Sequence, residues 1–346
     1  MSEDLRGLPR ASVDPWLREA LPDLVGDQPW TAELVSGGLS NITYRLHLAG
    51  AETILRRPPL GGVLPSAHDM QREYRILSAL ESTDVPVPQP LALCTDPDVL
   101  GYPFYVMRAV PGEVLRTAED TAALTVAQRS AVSTALVDTL AALHSVDVEA
   151  AGLADYGRPR GYAERQIKRW GRQWQSSKTR DLPDMDVLLM RLAERVPPQR
   201  DATIVHGDYR LDNTILDLDA DGVRVAAVVD WELSTLGDPL ADLGLAMTYW
   251  NDRDDEERAR IPVAAGVTAH EGFPTAAEFA QMYADRTGRD LAALPFHLAL
   301  AGMKLAVILE GVHARYLGGH TVSGGYEGVG DAVPSLVARG LRSLPG

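Results

Sequence analysis

The run Ile204-Val205-His206-Gly207-Asp208-Tyr209-Arg210-Leu211-Asp212-Asn213 sets a carboxylate, Asp208, five residues before a carboxamide, Asn213, in a loop between an apolar pair and an apolar strand. A second carboxylate, Asp230 in Val228-Val229-Asp230-Trp231-Glu232, stands 17 residues beyond Asn213 at the end of the next apolar run. The segments Thr214–Leu218 and Val223–Val229 flank Asp219-Ala220-Asp221-Gly222 and read as a hairpin, whose folding would gather all three side chains at one end. Such a set suits Mg²⁺, a hard cation that takes one or two carboxylates together with substrate phosphates, and it leaves a carboxylate free to orient a nucleophile. Singly these residues are turn formers and strand-end caps; turn chemistry does not demand their order and spacing.

Positive charge is distributed unevenly. The chain has 346 residues, 33 Lys and Arg against 48 Asp and Glu, and a formal charge of −15. That field repels nucleic acid and anionic membrane, so an anionic substrate would need a local basic site. Arg158 to Arg180 supplies one, with eight basic residues against the single acid Glu164. On a helix, Arg165, Arg169 and Arg172 share one face and Ile167, Trp170 and Trp174 another, which reads either as a helix packed by its tryptophans with a solvated basic face or as a site for an anionic ligand. The acidic run Asn251 to Arg260 reads as solvated surface that would attract a polycation.

The first hundred residues read as strands with two helices. Asp14-Pro15 opens a helix through Leu21; Glu33–Val35, Ile42–Leu48 and Glu52–Arg56 form a meander whose first turn holds Gly37, Gly38, Ser40 and Asn41. Ile54 and Arg56 fall on one strand face by alternation. From His68 to Leu80, Met70, Glu73, Tyr74, Leu77 and Leu80 share a helical face, which places the Glu73 carboxylate inside an apolar stripe. Two further strands, Leu91–Cys94 and Phe104–Met107, lead to the connector Arg108–Gly112. The remainder is helical (Val126–His144, Gly161–Ser176, Pro183–Arg195, Leu240–Trp250, Thr275–Thr287, Leu291–Leu317), interrupted by the one hairpin. The expected organisation is a small lobe over 1–107, a hinge at 108–112 and a larger helical lobe over 113–346. A single cysteine, Cys94, fits a reducing compartment, with the cytoplasm as default. The N-terminus lacks a signal-peptide apolar region, and Lys304 and Glu310 interrupt the apolar stretch Leu298–Val312, so no membrane span is expected.

HGDYRLDN with VVDWE resembles the catalytic loop and metal-binding strand of the aminoglycoside phosphotransferase and choline kinase group, small-molecule relatives of the protein kinases. LRRPP at 55–59 and KLAVILEGVHARYLGG at 304–319 most resemble the branch found beside, or fused to, acyl-CoA dehydrogenases; the likeness runs from Val35 to Leu317. The resemblance implies an α+β, bilobal protein-kinase-like fold with a β-rich nucleotide-binding lobe. It implies Asp208 as catalytic base, His206 as a brace for the loop, and Asn213 and Asp230 as Mg²⁺ ligands. Arg56 stands where the wider superfamily has a lysine on the nucleotide phosphates, and Glu73 where its carboxylate partner lies. Gly37, Gly38, Ser40 and Asn41 would cover the phosphates, and Met107–Val110 would pair with adenine. Asp242 is similar to a buried aspartate that bonds back to the catalytic loop. The short stretch after Asp230 disfavours a peptide substrate. The implied cofactors are ATP, with GTP as second candidate, and Mg²⁺. The implied partner is a small-molecule alcohol, either an aminoglycoside or a hydroxyacyl-CoA-like or other anionic metabolite, with no obligate protein partner. The alternative of another class is a catalytically silent nucleotide-binding module.

Overall fold

A computed structural model describes residues 5–35, 41–60, 69–219, 222–319 and 328–344. The chain divides into two compact units, Met1–Gly112 with Ala226–Glu232, and Glu113–Val225 with Leu233–Gly346, so the first is not contiguous in sequence.

The first unit is built on one antiparallel sheet of β1 (Thr31–Leu34), β2 (Ile42–Leu48), β3 (Ala51–Arg57), β4 (Pro90–Cys94) and β5 (Phe104–Arg108), in the order β1-β2-β3-β5-β4. Alternation splits it into two faces. Tyr44, Leu46 and Leu55 pack with Val13 and Leu17 of helix α1 (Arg10–Ala20), beside the short helix α2 (Pro22–Val25). Helix α1 begins earlier than Asp14-Pro15 suggests, with Pro15 inside it. Asp14 does not cap it, because its carboxylate takes Arg18 Nε at 2.9 Å and Trp30 Nε1 at 2.8 Å. Helix α3 (Met70–Leu80) is capped by Asp69, which accepts the Arg72 N–H at 3.0 Å, and it buries Met70, Glu73, Ile76, Leu77 and Leu80. A short helix, α4 (Pro97–Leu100), precedes β5.

The second unit is mostly helical: α5 (Ala118–Ala122), α6 (Val126–Ser145), α7 (Tyr162–Ser177), α8 (Pro183–Glu194), α9 (Pro239–Tyr249), α10 (Glu256–Ala259), α11 (Ala276–Thr287), α12 (Leu294–Leu317) and α13 (Ala332–Ser343). Its core is α12, packed on α13, α9, α7 and α8, which is why that helix is apolar nearly all round. Helix α12 is long and apolar enough to cross a membrane, yet 67% of its most apolar window is buried in the protein. Three strands lie among the helices, β6 (Thr203–Val205), β7 (Thr214–Asp217) and β9 (Thr235–Gly237), while β8 (Arg224–Val228) runs on into the segment Ala226–Glu232 of the first unit. Residues 220 and 221 of the expected hairpin turn lie outside the described residues.

Two expectations need correction. The hairpin is not the one interruption of the helical half, because β6 pairs with β9 in antiparallel register, Thr203 opposite Gly237. Strand β9 is Thr-Leu-Gly, too short to show alternation. Helix α13, absent from the expected elements, buries Val333, Leu336, Val337 and Gly340 at helical spacing against α12.

Candidate active site

In the first unit, strand β3 presents its two arginines to opposite faces. Arg57, 4% exposed, donates from Nε to Pro58 O at 3.2 Å and from Nη1 to Gly7 O, on the face that carries α1. Arg56 lies opposite Tyr105 in the sheet and turns to the α3 face. There its Nε is 3.0 Å from Glu73 Oε2, and its Nη2 hydrogen-bonds Asp230 Oδ1. Glu73 also accepts from Tyr105 Oη at 2.9 Å and from Asn41 Nδ2 at 3.1 Å, and the same Asn41 amide reaches Glu232 Oε2 at 3.1 Å. Burial alone would lower the Arg56 pKa, but Glu73 and Asp230 carry it above the usual arginine value, so the cation is locked in. Burial pushes the Glu73 carboxyl up, opposed by Arg56.

Asp230 has φ 67°, in the left-handed region that costs a non-glycine residue about 1–2 kcal/mol. The segment is tied down on both sides: Val228 N–H donates to Pro86 O at 2.8 Å, and Trp231 Nε1 to Val228 O at 2.9 Å. Strained backbone of this kind collects at functional sites. Met107 lies opposite Ile54 and Pro90, one residue before the end of β5, and Val110 follows half-buried. Gly37, Gly38 and Ser40 lie outside the described residues.

In the second unit, the chain leaves β6 at Val205 and makes a tight loop into the short helical turn Leu211–Asn213. Asp242, in the first turn of α9 and 1% exposed, holds this loop. Its Oδ2 accepts the His206 N–H at 2.6 Å and its Oδ1 the Gly207 N–H at 2.8 Å. His144 Nε2 is 3.4 Å away, and His144 Nδ1 is 2.7 Å from Tyr283 Oη. Burial would raise the Asp242 pKa; the His144 and Gly207 hydrogen bonds outweigh it and hold the carboxyl below its ordinary value. Gly207 has φ 82°, and a Cβ there would stand 2.6 Å from the Leu233 carbonyl oxygen, so only glycine fits. His206 Nδ1 accepts the Asp208 N–H at 3.2 Å.

Both Asp208 oxygens are engaged. Oδ1 accepts from Tyr249 Oη at 3.1 Å, and Oδ2 from Asn213 Nδ2 at 3.0 Å, with Arg210 Nε 3.7 Å away. Arg210 pairs with Asp212 Oδ2 at 2.5 Å and stacks 4.8 Å from the Tyr249 ring. The Lys304 ammonium donates to Gly207 O. Tyr249, Arg210 and Lys304 are absent from the sequence-based expectations. Tyr249 lies seven residues after Asp242, on the same helical face, which is the one signal that could have found it. The three arginines of α7 have different surroundings. Arg165 donates back to the carbonyls of Arg158 and Arg160; Arg169 lies 5.3 Å from the Trp170 ring; Arg172 is exposed, with Nε 3.3 Å from Lys168 O.

Among the described residues no three His, Cys, Asp or Glu side chains converge as a metal cage. Mg²⁺ does not require one, since it is commonly held by one or two protein oxygens, water and substrate phosphates. Asn213 spends its Nδ2 on Asp208, which leaves an amide oxygen as a donor in the second unit; in the first, Asp230 offers a carboxylate.

A small antiparallel β-sheet unit with a larger helical one, carrying these residues, is a protein-kinase-like phosphotransferase fold. The sequence profile described as the phosphotransferase enzyme family matches residues 31–291, and the chain belongs to that family. It is 38% identical over 342 residues to acyl-CoA dehydrogenase family member 11 of Gallus gallus, an alignment covering 96% of this chain and 43% of that protein. The chain thus spans less than half the length of that relative. A crystal structure from Ralstonia eutropha, provisionally described as an aminoglycoside phosphotransferase, aligns with TM-score 0.79 and 33% identity over 97% of this chain and 98% of the other. The aminoglycoside phosphotransferase APH(4)-Ia, solved with AMP-PNP and hygromycin B, shares the fold at 17% identity and TM-score 0.62, covering 97% and 99%.

Replacing Asp242 by Asn should cost about 3–5 kcal/mol of stability near neutral pH, because it removes the charge from a buried, hydrogen-bonded network. The folded-state pKa is depressed, so this stability is present above the unfolded carboxylate pKa near 4 and lost as pH falls through the folded value. Urea unfolding of both proteins against pH should show the gap narrowing in acid; a gap independent of pH would show that Asp242 acts by shape alone.

Proposed function

We propose that the protein moves the γ-phosphoryl group of ATP to a hydroxyl of a small-molecule alcohol with Mg²⁺. One observation carries this reading: Asp208 is oriented by hydrogen bonds to both carboxylate oxygens, on a loop that Asp242 pins through consecutive backbone N–H groups. A silent nucleotide-binding module has no use for such care over one carboxylate. Asp208 accepts a hydrogen bond from the acceptor hydroxyl and takes its proton as the oxygen–phosphorus bond forms and the bond to the departing diphosphate breaks. Asn213 keeps Asp208 in one rotamer. Arg56, braced by Glu73, places fixed positive charge against the phosphates; Asn213 and Asp230 would hold Mg²⁺, which when bound neutralises developing charge.

Two features favour an acceptor with apolar and anionic parts, such as a hydroxyacyl-CoA-like metabolite, over an aminoglycoside. The cavity bounded by Tyr209, Arg210 and Tyr249 is lined by Leu115, Leu136, Trp250, Val267 and Phe279, and its one carboxylate, Asp212, is paired with Arg210. A polycation would need several free carboxylates. In the acidic run 251–260, the sequence feature that favoured a polycation, two of the five acids are paired with α13: Asp255 pairs with Arg339 at 2.7 Å, and Glu257 accepts from Ser335 at 2.8 Å and from Arg342. The acyl-CoA dehydrogenase name of the matched relative supports the same acceptor class.

Asp208→Asn should keep MgATP affinity and lose roughly 10²–10⁴ in turnover, whereas Asp230→Asn should lose Mg²⁺-dependent nucleotide binding as well. Titration calorimetry with MgATP, paired with phosphorus NMR of products from an alcohol panel, separates the two; wild-type phosphoryl transfer by Asp208→Asn would sink the reading. Arg56→Lys should retain more ATP affinity than Arg56→Ala, since it restores the charge without the guanidinium fork. Chelation of Mg²⁺ should abolish transfer, and its return should restore it.

A further inference from the structure

Lys304 is a cation in the middle of an apolar core helix, and its surroundings use only part of it. It lines a cavity within the second unit together with Tyr162, Gln166 and Trp170 of α7, Gly207 of the loop, and His297 of α12. An ammonium has three N–H donors. One is directed to Gly207 O, the carbonyl immediately before Asp208. The Trp170 ring, 5.6 Å from Nζ, offers a π face and no lone pair. Asp242 also borders the cavity, but both of its oxygens are occupied by the loop N–H groups and His144. Burial lowers the Lys304 pKa, offset by Asp208 and Asp242, and Arg169 lies close enough to lower it further. Gln166 spends Oε1 on Trp170 Nε1 at 3.0 Å, which leaves its Nε2 donors for the cavity. Here a lysine and an amide supply donors beside the loop that carries the catalytic base.

We propose that Lys304, with Gln166, forms a subsite for an anionic group of the acceptor, a carboxylate or phosphate on the alcohol whose hydroxyl addresses Asp208. This rests on the phosphotransferase reading and narrows it: of the polar residues of α7, Gln166 lines the cavity with Lys304, while Arg165 is consumed by the loop at 158–160. A structural alternative exists, in which Lys304 only braces the Gly207 carbonyl.

The test uses the full chain, a Lys304→Met variant that keeps the stem and loses the charge, and Lys304→Arg. Matched acceptor pairs are compared: hydroxycarboxylates with their methyl esters, and phosphorylated diols with the free diols, so that the pairs also tell carboxylate from phosphate. Lys304→Met should lower kcat/KM for the anionic member of the preferred pair about 10- to 100-fold more than for its neutral counterpart, with KM for ATP little changed, and Lys304→Arg should recover part of the preference. Equal losses on both members would make Lys304 a brace and overturn the proposal, as would a neutral or cationic acceptor that improves in the variant. A second measurement is independent of turnover: coenzyme A and the same hydroxycarboxylates are titrated into Asp208→Asn, with tryptophan fluorescence reporting near Trp170. Saturable binding lost in the Asp208→Asn/Lys304→Met double variant supports the subsite even where no phosphoryl transfer is seen, in which case only the reaction assignment falls. Absence of binding together with absence of anionic preference overturns the subsite.

Discussion

One buried carboxylate holds the loop that carries Asp208 in shape. Asp242 presents both oxygens to consecutive backbone N–H groups, those of His206 and Gly207, and so fixes the bend from which Asp208 emerges. Each N–H lies in the interior, where an unpaired donor is expensive. Their satisfaction by a single side chain makes the loop conformation and the placement of α9 one decision. The rest of the second unit follows from it. His144 and Tyr283 keep Asp242 charged and oriented; Gly207 supplies the one backbone conformation that fits under the Leu233 carbonyl; Tyr249, lower on the same helix face, reaches Asp208 because Asp242 has already set the distance between helix and loop.

The first unit solves a different problem, that of keeping a cation available beside a sheet. A buried arginine without carboxylates would be costly. Arg56 meets Glu73 and Asp230 together, and Glu73 is in turn satisfied by Tyr105 and Asn41. The network holds the guanidinium rigidly, while Asp230 keeps its strained backbone because the strand before it and the turn after it are both anchored. One guanidinium against two carboxylates leaves the cluster net negative, which favours a cation beside Asp230.

Much of this was legible in the sequence, since its periodicities are local. The alternation of β3 separates Arg56 from Arg57, the stripe of α3 carries Glu73 inward, and the HGDYRLDN and VVDWE strings name the chemistry. What was not legible depends on long-range packing. Strand β9 is too short to announce itself and exists because β6 needs a partner. The acidic run 251–260 is a partly solvated surface, but that Asp255 and Glu257 within it pair with Arg339 and Arg342 of α13 is not legible from the run itself. Lys304 looks like a break in an apolar stretch until the loop carbonyl of Gly207 is placed against it.

The central claim is that Asp208 directs a phosphoryl group from ATP to an alcohol. Its most direct measurement is untargeted mass spectrometry of a metabolite extract incubated with the wild-type chain or with Asp208→Asn, each with MgATP labelled at the γ-phosphoryl oxygens. The account predicts that the wild type adds one labelled phosphoryl group to an alcohol and that Asp208→Asn does not. Labelled inorganic phosphate as the sole product, or the same labelled alcohol from both proteins, would contradict it.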